Sequence, residues 1–164
     1  MVDQNDGASA ESRPPTLKDL LKLCKELNEH GAKYIVIGGM AIIQAGFVRA
    51  TEDIDLLVEA SQENQKRILE ALMVLPDQAV REVKPEDLDK YLVVKVADEI
   101  VVDLMKKACG IDFDHASSKV DWVTLENVRI PFANVELLWE LKQTKREKDS
   151  LDLEFLKERL RKRG

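Results

Sequence analysis

The stretch Arg49-Ala-Thr-Glu-Asp-Ile-Asp-Leu-Leu-Val58 decides the fold, because it predicts a buried strand that begins with two acids. Side chains alternate between the two faces of a strand, so Asp53 and Asp55 share one face while Ile54 points to the other. Two carboxylates about 4 Å apart repel each other by roughly 4 kcal/mol at an effective dielectric constant near 20. The pair therefore predicts either a solvated strand start or a site in which a cation offsets the repulsion.

A glycine pair precedes this strand in Tyr34-Ile-Val-Ile-Gly-Gly-Met-Ala41. The apolar run over 34–37 predicts a buried strand, and the run over 40–45 predicts a short helix that ends at Gly46. Glycine lets a backbone approach a ligand closely, and the N–H groups at a helix start attract anions such as phosphate. Gly38 and Gly39 are therefore candidate phosphate contacts, and a plain tight turn is the alternative interpretation.

A third acid lies in the apolar run Ile100-Val-Val-Asp-Leu-Met105. A carboxylate inside an apolar strand is costly unless it is paired or bound to a metal. If this strand lies beside the strand of Asp53 and Asp55, Asp103 completes a triad of carboxylates. Such a triad can hold divalent cations that activate an attacking hydroxyl and stabilise leaving phosphate oxygens. The alternative is an acid on the solvated face of an edge strand.

Hydrophobic periodicity in the rest of the chain predicts further helices and strands. They are helices over 16–31, 61–75 and 85–90, a hairpin of 91–96 and 100–105, a loop or short helix over 112–118, two short peripheral strands over 120–124 and 128–131, a helix capped by Asn134, and a last helix over about 148–161. This order predicts an α/β (α+β) domain in which a mixed β-sheet is flanked by helices. The hairpin argues against a sheet that is parallel throughout.

Length and composition predict one domain. The chain has 164 residues, 45% of them hydrophobic, and a net charge of −6. We predict a flexible tail over 1–15 and a single domain over 16–164, with a core at about 32–107 and a C-terminal helical part at about 132–162. The negative charge argues against non-specific nucleic-acid binding as the main role. The basic residues over 157–163 predict a solvated helix end or, alternatively, a patch that contacts RNA.

Cysteine usage and hydropathy predict a cytoplasmic protein. Cys24 and Cys109 fit no metal or redox spacing, so we expect two buried or half-buried free thiols in a reducing compartment. No apolar run approaches 18 residues, and no signal-peptide pattern is present, so we expect no membrane contact. Trp122 and Trp139 are expected to pack into the core.

Taken together, the motifs resemble a known superfamily. Gly38-Gly39, then Arg49-x-Thr51-x-Asp53-x-Asp55, then Asp103 on a later strand are similar to the nucleotidyltransferase superfamily, which has the polymerase-beta-like fold. The resemblance is closest to its small bacterial and archaeal branch, which includes the nucleotidyltransferases of toxin–antitoxin pairs. Lys142, followed by Arg146-x-Lys-Asp-x-x-Asp152, resembles the C-terminal motif of that branch, so the likeness spans about 32–160.

The resemblance implies a metal-dependent nucleotidyltransferase, with Mg²⁺ or Mn²⁺ as the cofactor and a nucleoside triphosphate (NTP) as the donor. The acceptor hydroxyl would belong to a tRNA, a protein or a small molecule. Asp53 and Asp55 would hold the metal, and Asp103 would be the third ligand or the base for the acceptor. Further roles are implied in turn for Gly38 and Gly39 (phosphate approach), Arg49 (phosphate charge), Thr51 (position of the acidic loop), Lys142 (nucleotide or acceptor), and Lys148 with Asp149 (a lock between the last two helices).

One position departs from the family pattern. Many relatives have a serine next to the glycine pair, where it binds a phosphate, whereas this chain has Met40. The alternative hypothesis is therefore a non-catalytic domain that keeps the fold and binds a nucleotide or a partner. A homodimer is a further expectation, because a single domain of this size has little room of its own for a large acceptor.

Overall fold

A computed structural model of the chain describes residues 12–143 and 149–163. The helices are α1 (Leu17–Glu29), α2 (Gly38–Gln44), α3 (Gln62–Ala71), α4 (Asp87–Lys90), α5 (Phe113–Ala116), α6 (Val135–Leu141) and α7 (Ser150–Arg163), with 3₁₀ turns at Leu72–Val74 and Ala79–Glu82. The strands are β1 (Tyr34–Ile37), β2 (Asp53–Val58), β3 (Val94–Ala97), β4 (Val101–Met105), β5 (Lys107–Ala108), β6 (Ile111–Asp112), β7 (Val120–Leu125) and β8 (Val128–Ala133).

Six strands form one mixed sheet in the order β3-β4-β2-β1-β8-β7, and β5 pairs with β6 in a small separate hairpin. Strand β2 runs antiparallel to β1 and parallel to β4, while β1 runs parallel to β8. The predicted mixed sheet flanked by helices is thus confirmed. The antiparallel pair β3–β4 is the hairpin that rules out a sheet that is parallel throughout.

Helices cover both faces of the central strands. Leu56 and Leu57 are neighbours on β2, so their side chains point to opposite faces, and both are completely buried. Helix α1 packs against α3 and β8, whereas α2 packs against β1, β2 and α6, and α7 packs against α6. Polar side chains on the inner strands are consequently removed from solvent unless they lie at the edge of the sheet or in a cleft.

Thr16 caps the start of α1, in agreement with the helix predicted over 16–31. Its hydroxyl accepts a hydrogen bond from the Asp19 N–H, and the Asp19 carboxylate accepts one from the Thr16 N–H, which forms a capping box. Arg13 forms two hydrogen bonds with the same carboxylate, at 2.7 and 2.8 Å. Gly31 follows the helix with a φ of +68°, the left-handed conformation that glycine adopts most easily.

Several local predictions need correction. The last pair of strands is not peripheral as a pair, because β8 lies inside the sheet with Val36 of β1 beside Phe132. Only β7 of that pair forms the sheet edge. The first strand of the hairpin begins at Val94, since residues 91–93 are exposed and outside the ladder. Helix α2 begins at Gly38, so the glycine pair belongs to the helix and not only to the turn before it.

Two side chains that were expected to be buried or, for Cys109, at least half-buried are exposed. Trp122 lies on the edge strand, is 53% exposed, and stacks against the Arg129 guanidinium at 4.2 Å from the ring centroid. Cys109 is exposed, whereas Cys24 is buried as expected. Trp139 is partly buried and packs against the core, as predicted. Within residues 12–143 and 149–163, no helix is long and apolar enough to cross a membrane.

Candidate active site

The three acids converge because of strand pairing. Strands β2 and β4 are adjacent and parallel, and their register places Asp55 directly beside Asp103. Asp53 lies two residues before Asp55 and therefore on the same face. Asp53, Asp55 and Asp103 can each offer a carboxylate oxygen such that all three oxygens lie within 4.8 Å of one another. The triad predicted from the sequence is thus brought together in space.

The electrostatics of the triad are unfavourable for three negative charges. Burial, together with the neighbouring charges of Asp53 and Asp103, raises the pKa of Asp55 from 3.8 to about 7. A hydrogen bond shared with Asp103 favours the protonated carboxyl further, and the positive charge of Lys142 opposes these effects. A proton on Asp55 therefore relieves the repulsion when no other cation does so.

The donor set fits a hard divalent cation. Carboxylate oxygens are the preferred ligands of Mg²⁺, which binds them at about 2.0–2.1 Å in an octahedral shell. Neighbouring corners of such a shell are about 2.9 Å apart and opposite corners about 4 Å apart. Side-chain rotations that draw the three oxygens together from within 4.8 Å would let them share one ion. Asp53, Asp55 and Asp103 are the residues that would hold it.

The glycine pair is required by contacts with β2 and the loop before it. Gly38 has a φ of +68°, and a Cβ placed on it would lie 2.1 Å from Asp55 Oδ2. A Cβ on Gly39 would lie 2.2 Å from Thr51 Oγ1. The Thr51 hydroxyl donates a hydrogen bond to the Asp53 carbonyl at 3.1 Å. The pair thus lets α2 approach the acidic strand, and the Thr51 hydroxyl is bonded to the start of that strand.

Two cations of the candidate site are held by buried acids from the C-terminal part of the chain. Arg49 donates two hydrogen bonds to Asp152, both at 2.9 Å. Lys142 Nζ lies 3.1 Å from Asp149 and 3.2 Å from Asp152. Asp149 is 1% exposed and Asp152 is 3% exposed. Asp149 therefore connects α6 to α7 through Lys142, whereas the predicted partner Lys148 lies outside the described residues.

All eight candidate residues line one cleft of about 560 Å³, namely Gly38, Gly39, Arg49, Thr51, Asp53, Asp55, Asp103 and Lys142. Apolar side chains complete its walls, among them Phe47, Val93 and Leu151. Met40, the departure from the family pattern, is 7% exposed and is not among the lining residues. Its side chain therefore contributes to the core, and the cleft has no hydroxyl from that position.

Two features of the candidate site were not predicted from the sequence. Lys95 Nζ lies 3.0 Å from Asp103 Oδ1, because β3 pairs with β4 in a register that places Lys95 opposite Asp103. Cys109 reaches the cleft from the turn between β5 and β6, where it has a φ of +50°. Alternation along β3 could have placed Lys95 on a polar face, but only the register identifies its partner.

Comparison with known proteins agrees with this picture. A family model described as "Nucleotidyltransferase of unknown function (DUF6036)" matches residues 15–121, which include the glycine pair and the three acids. The crystal structure of a proposed nucleotidyltransferase from Thermotoga maritima has the same fold, with a TM-score of 0.52 and 19% sequence identity. The match covers 89% of this chain and 90% of that chain. No curated protein matches the sequence.

The close approach of α2 to β2 predicts that Gly38→Ala is strongly destabilising. The new Cβ would meet the Asp55 carboxylate at 2.1 Å, and alanine would also be strained at a φ of +68°. Gly110→Ala is the matched control, because Gly110 has a φ of +77° but no atom within 4 Å of an added Cβ. We expect the control to lose about 1 kcal/mol and Gly38→Ala to lose at least about 2 kcal/mol more in urea unfolding. Equal losses would contradict the steric argument.

The raised pKa of Asp55 predicts a pH-dependent stability for the metal-free protein. Between pH values near 3.8 and 7, the folded state keeps a proton that the unfolded state has lost. The free energy of unfolding therefore falls as the pH rises through this window, and this contribution is lost above about pH 7. In wild type, the free energy of unfolding should be lower at pH 7.5 than at pH 5. In Asp55→Asn, we expect this decrease to be smaller by about 1–2 kcal/mol.

The measurement for Asp55 is urea unfolding in the presence of a chelator at both pH values. Asp121→Asn is a suitable control, because Asp121 is an exposed acid on the edge strand β7. Its free energy of unfolding should change between the two pH values by the same amount as that of wild type. If the free energy of unfolding changes with pH by the same amount in Asp55→Asn and in wild type, Asp55 does not hold the proton.

The buried acid that joins Arg49 to Lys142 predicts a large effect of Asp152→Asn. The substitution leaves Arg49 and Lys142 without the negative charge between them, and breaking a buried ion pair costs about 3 kcal/mol or more. Glu154→Gln removes an exposed charge from the same helix and should change stability by less than about 0.5 kcal/mol. Thermal unfolding of the three proteins measures both effects, and similar midpoints would mean that the ion pairs add little.

Proposed function

This chain belongs to the family of nucleotidyltransferases of unknown function, and on that premise we propose that it moves a nucleoside monophosphate from a nucleoside triphosphate to an acceptor hydroxyl. The observation that carries the proposal is the convergence of three carboxylates with two cations in a single cleft. Asp53, Asp55 and Asp103 lie in the same cleft as Arg49 and Lys142. A metal-bound triphosphate carries charges of both signs, so its metal ion suits the carboxylates and its phosphates suit Arg49 and Lys142.

In the proposed reaction, the oxygen of the acceptor hydroxyl attacks the α-phosphorus of the triphosphate. A new P–O bond forms to the acceptor, the bond to the β-phosphate oxygen breaks, and pyrophosphate leaves. A divalent cation, when bound, neutralises phosphate charge and stabilises the attacking and leaving oxygens. Asp53 and Asp55 would hold the cation, and Asp103 would be its third ligand or would take the proton of the acceptor hydroxyl.

The remaining cleft residues bind and orient the triphosphate. Gly38 and Gly39 bring the backbone at the start of α2 up to β2 and to the cleft, because a Cβ on either residue would meet Asp55 or Thr51. Arg49 and Lys142 lie at 28% and 13% exposure, so their charges act with limited screening by water. Asp149 and Asp152 orient these two cations through the ion pairs described above.

Met40 favours a second candidate function. A buried methionine beside the glycine pair supplies no hydroxyl to a phosphate, which weakens one contact that a triphosphate has in related sites. The second candidate is a domain that binds a nucleotide without transferring it. The two candidates differ in turnover: pyrophosphate release in the presence of an acceptor supports the enzyme, and tight binding without release across a panel of acceptors supports the binding domain.

Ligand-induced stabilisation tests both candidates at the site itself. We expect wild type to gain about 2.7 kcal/mol when Mg²⁺ or Mn²⁺ and one nucleoside triphosphate are present at a hundred times the dissociation constant. This corresponds to a rise of about 5–10 °C in the unfolding midpoint of a chain of this size. The rise should require both metal and nucleotide, and it should be absent in Asp53→Asn/Asp55→Asn.

The chain offers a matched control for this double variant. Asp112 and Asp114 are also acids one residue apart, at the start of α5, and neither lines the cleft. Asp112→Asn/Asp114→Asn should keep the ligand-induced rise, whatever its effect on the stability of the free protein. No rise with any metal and nucleotide in wild type would reject both candidates.

A further inference from the structure

Two apolar side chains from distant parts of the chain lie at the same cleft as the acids and the cations. Phe47 lies in the loop between α2 and β2, and Leu151 lies in the first turn of α7. Both line the cleft, and Leu151 is 66% exposed. Apolar side chains at a ligand cleft provide contact area for the apolar part of a ligand.

A ring stack brings these two residues together. The rings of Phe47 and Phe155 are stacked, with centroids 5.0 Å apart and planes inclined by 14°. Phe155 and Leu151 are four residues apart in α7, so both lie on the same face of that helix. Leu151 lines the cleft and Phe155 does not, so Leu151 continues the apolar surface of the stack into the cleft. We call Phe47 and Leu151 the apolar wall.

The Phe47 ring has surface to offer to a ligand. Phe155 covers one face of the ring in a nearly parallel stack. Phe47 is only partly buried and lines the cleft, so ring surface that Phe155 leaves uncovered borders the cleft. Planar rings attract one another in offset stacks, and such contacts contribute more than their buried area alone. The apolar wall therefore suits a flat, aromatic group.

The apolar wall adjoins the proposed phosphate contacts. Arg49 follows Phe47 by two residues, so the Cα atoms of the two are at most about 7 Å apart. Asp152 directly follows Leu151 and accepts two hydrogen bonds from Arg49, both at 2.9 Å. A ligand that matches this part of the cleft combines a flat ring with an anionic group.

This combination leads to an inference that rests on the proposed function. A nucleoside triphosphate carries a flat base and a polyanionic chain, joined by a ribose. The cleft of about 560 Å³ lies within the usual range of about 300–1,000 Å³ for sites that enclose a small ligand. We propose that Phe47 and Leu151 form the nucleobase subsite, in which the base stacks on Phe47 and contacts Leu151.

Stacking determines what this subsite selects. Every nucleobase has a flat face, so stacking on an aromatic side chain holds a base without reading its hydrogen-bonding edge. The contact therefore distinguishes a nucleoside triphosphate from inorganic triphosphate. Phe155 supports the Phe47 ring from behind, which fixes the orientation of the surface on which the base would lie.

The test compares two ligands that share the triphosphate and differ in the nucleoside. Isothermal titration calorimetry with Mg²⁺ and no acceptor gives dissociation constants for inorganic tripolyphosphate and for the tightest-binding of ATP, GTP, CTP and UTP. Phe47→Leu keeps an apolar side chain but removes the flat ring. It should weaken nucleotide binding about fivefold and change tripolyphosphate binding by less than about twofold.

Two further variants keep the test decisive if Phe47→Leu does not fold. Phe47→Tyr retains the ring, so its affinity for the nucleotide should stay within about twofold of wild type. Leu151→Ala changes an exposed side chain and should leave the fold intact. It should weaken nucleotide binding about threefold through the loss of apolar contact, with tripolyphosphate binding unchanged.

Phe113→Leu and Leu17→Ala are the matched controls. Phe113 is partly buried against the core, Leu17 is 49% exposed at the start of α1, and neither lines the cleft. Both controls should bind the nucleotide and tripolyphosphate as wild type does. Unfolding midpoints without ligand verify that each variant is folded.

The outcomes separate this inference from the proposed function. If wild type binds the nucleotide and a folded Phe47→Leu or Leu151→Ala binds it equally well, the nucleobase subsite is overturned while the transferase stands. The subsite is also overturned if either variant weakens tripolyphosphate binding by the same factor as nucleotide binding. If wild type binds neither ligand with Mg²⁺, the proposed function and the subsite fail together.

Discussion

Repulsion among the Asp53, Asp55 and Asp103 carboxylates is the constraint on which the rest of the cleft depends. The parallel pairing of β2 with β4 leaves these groups no room to separate, since the register places Asp55 beside Asp103. Burial, together with the charges of Asp53 and Asp103, raises the pKa of Asp55 to about 7, so this carboxyl resists ionisation beside its neighbours. The residues around the triad either reduce this repulsion or depend on it, because carboxylates that repel one another attract divalent cations.

The two sides of the cleft differ in their balance of charge. On the triad side, three acids lie together and Lys95 pairs with one of them, so this side of the cleft favours the binding of positive charge. On the side of Arg49 and Lys142, two cations are balanced by two buried acids, which leaves them fixed in place with their charges partly compensated. A metal-bound triphosphate matches both sides at once. This complementarity is more specific than the presence of acids or of basic residues alone.

The sequence predicts the acids well and their surroundings less well, for physical reasons. Alternation with a period of two places Asp53 and Asp55 on one face without knowledge of any neighbour, and the acid within an apolar run identifies Asp103. Which strands pair, and in which register, depends on contacts between distant parts of the chain, so the partner of Lys95 and the interior position of β8 were not predictable from local pattern. The same limit explains why Trp122 was expected in the core, since an aromatic residue on an edge strand has the same local pattern as one on an inner strand.

The bond between Arg49 and Asp152 also constrains the order in which the cleft can form. These residues are separated by 103 positions, and Lys142 joins the same acid from a third part of the chain. Contacts between residues so far apart in the sequence are expected to form late, because closing the long loop between them costs entropy before the contact stabilises the chain. During synthesis from the N-terminus, the triad and the sheet around β2 and β4 can be complete while the last helix is still absent. The positions of these residues along the chain therefore predict that the acidic cluster forms first and that Arg49 and Lys142 are oriented only when α7 docks.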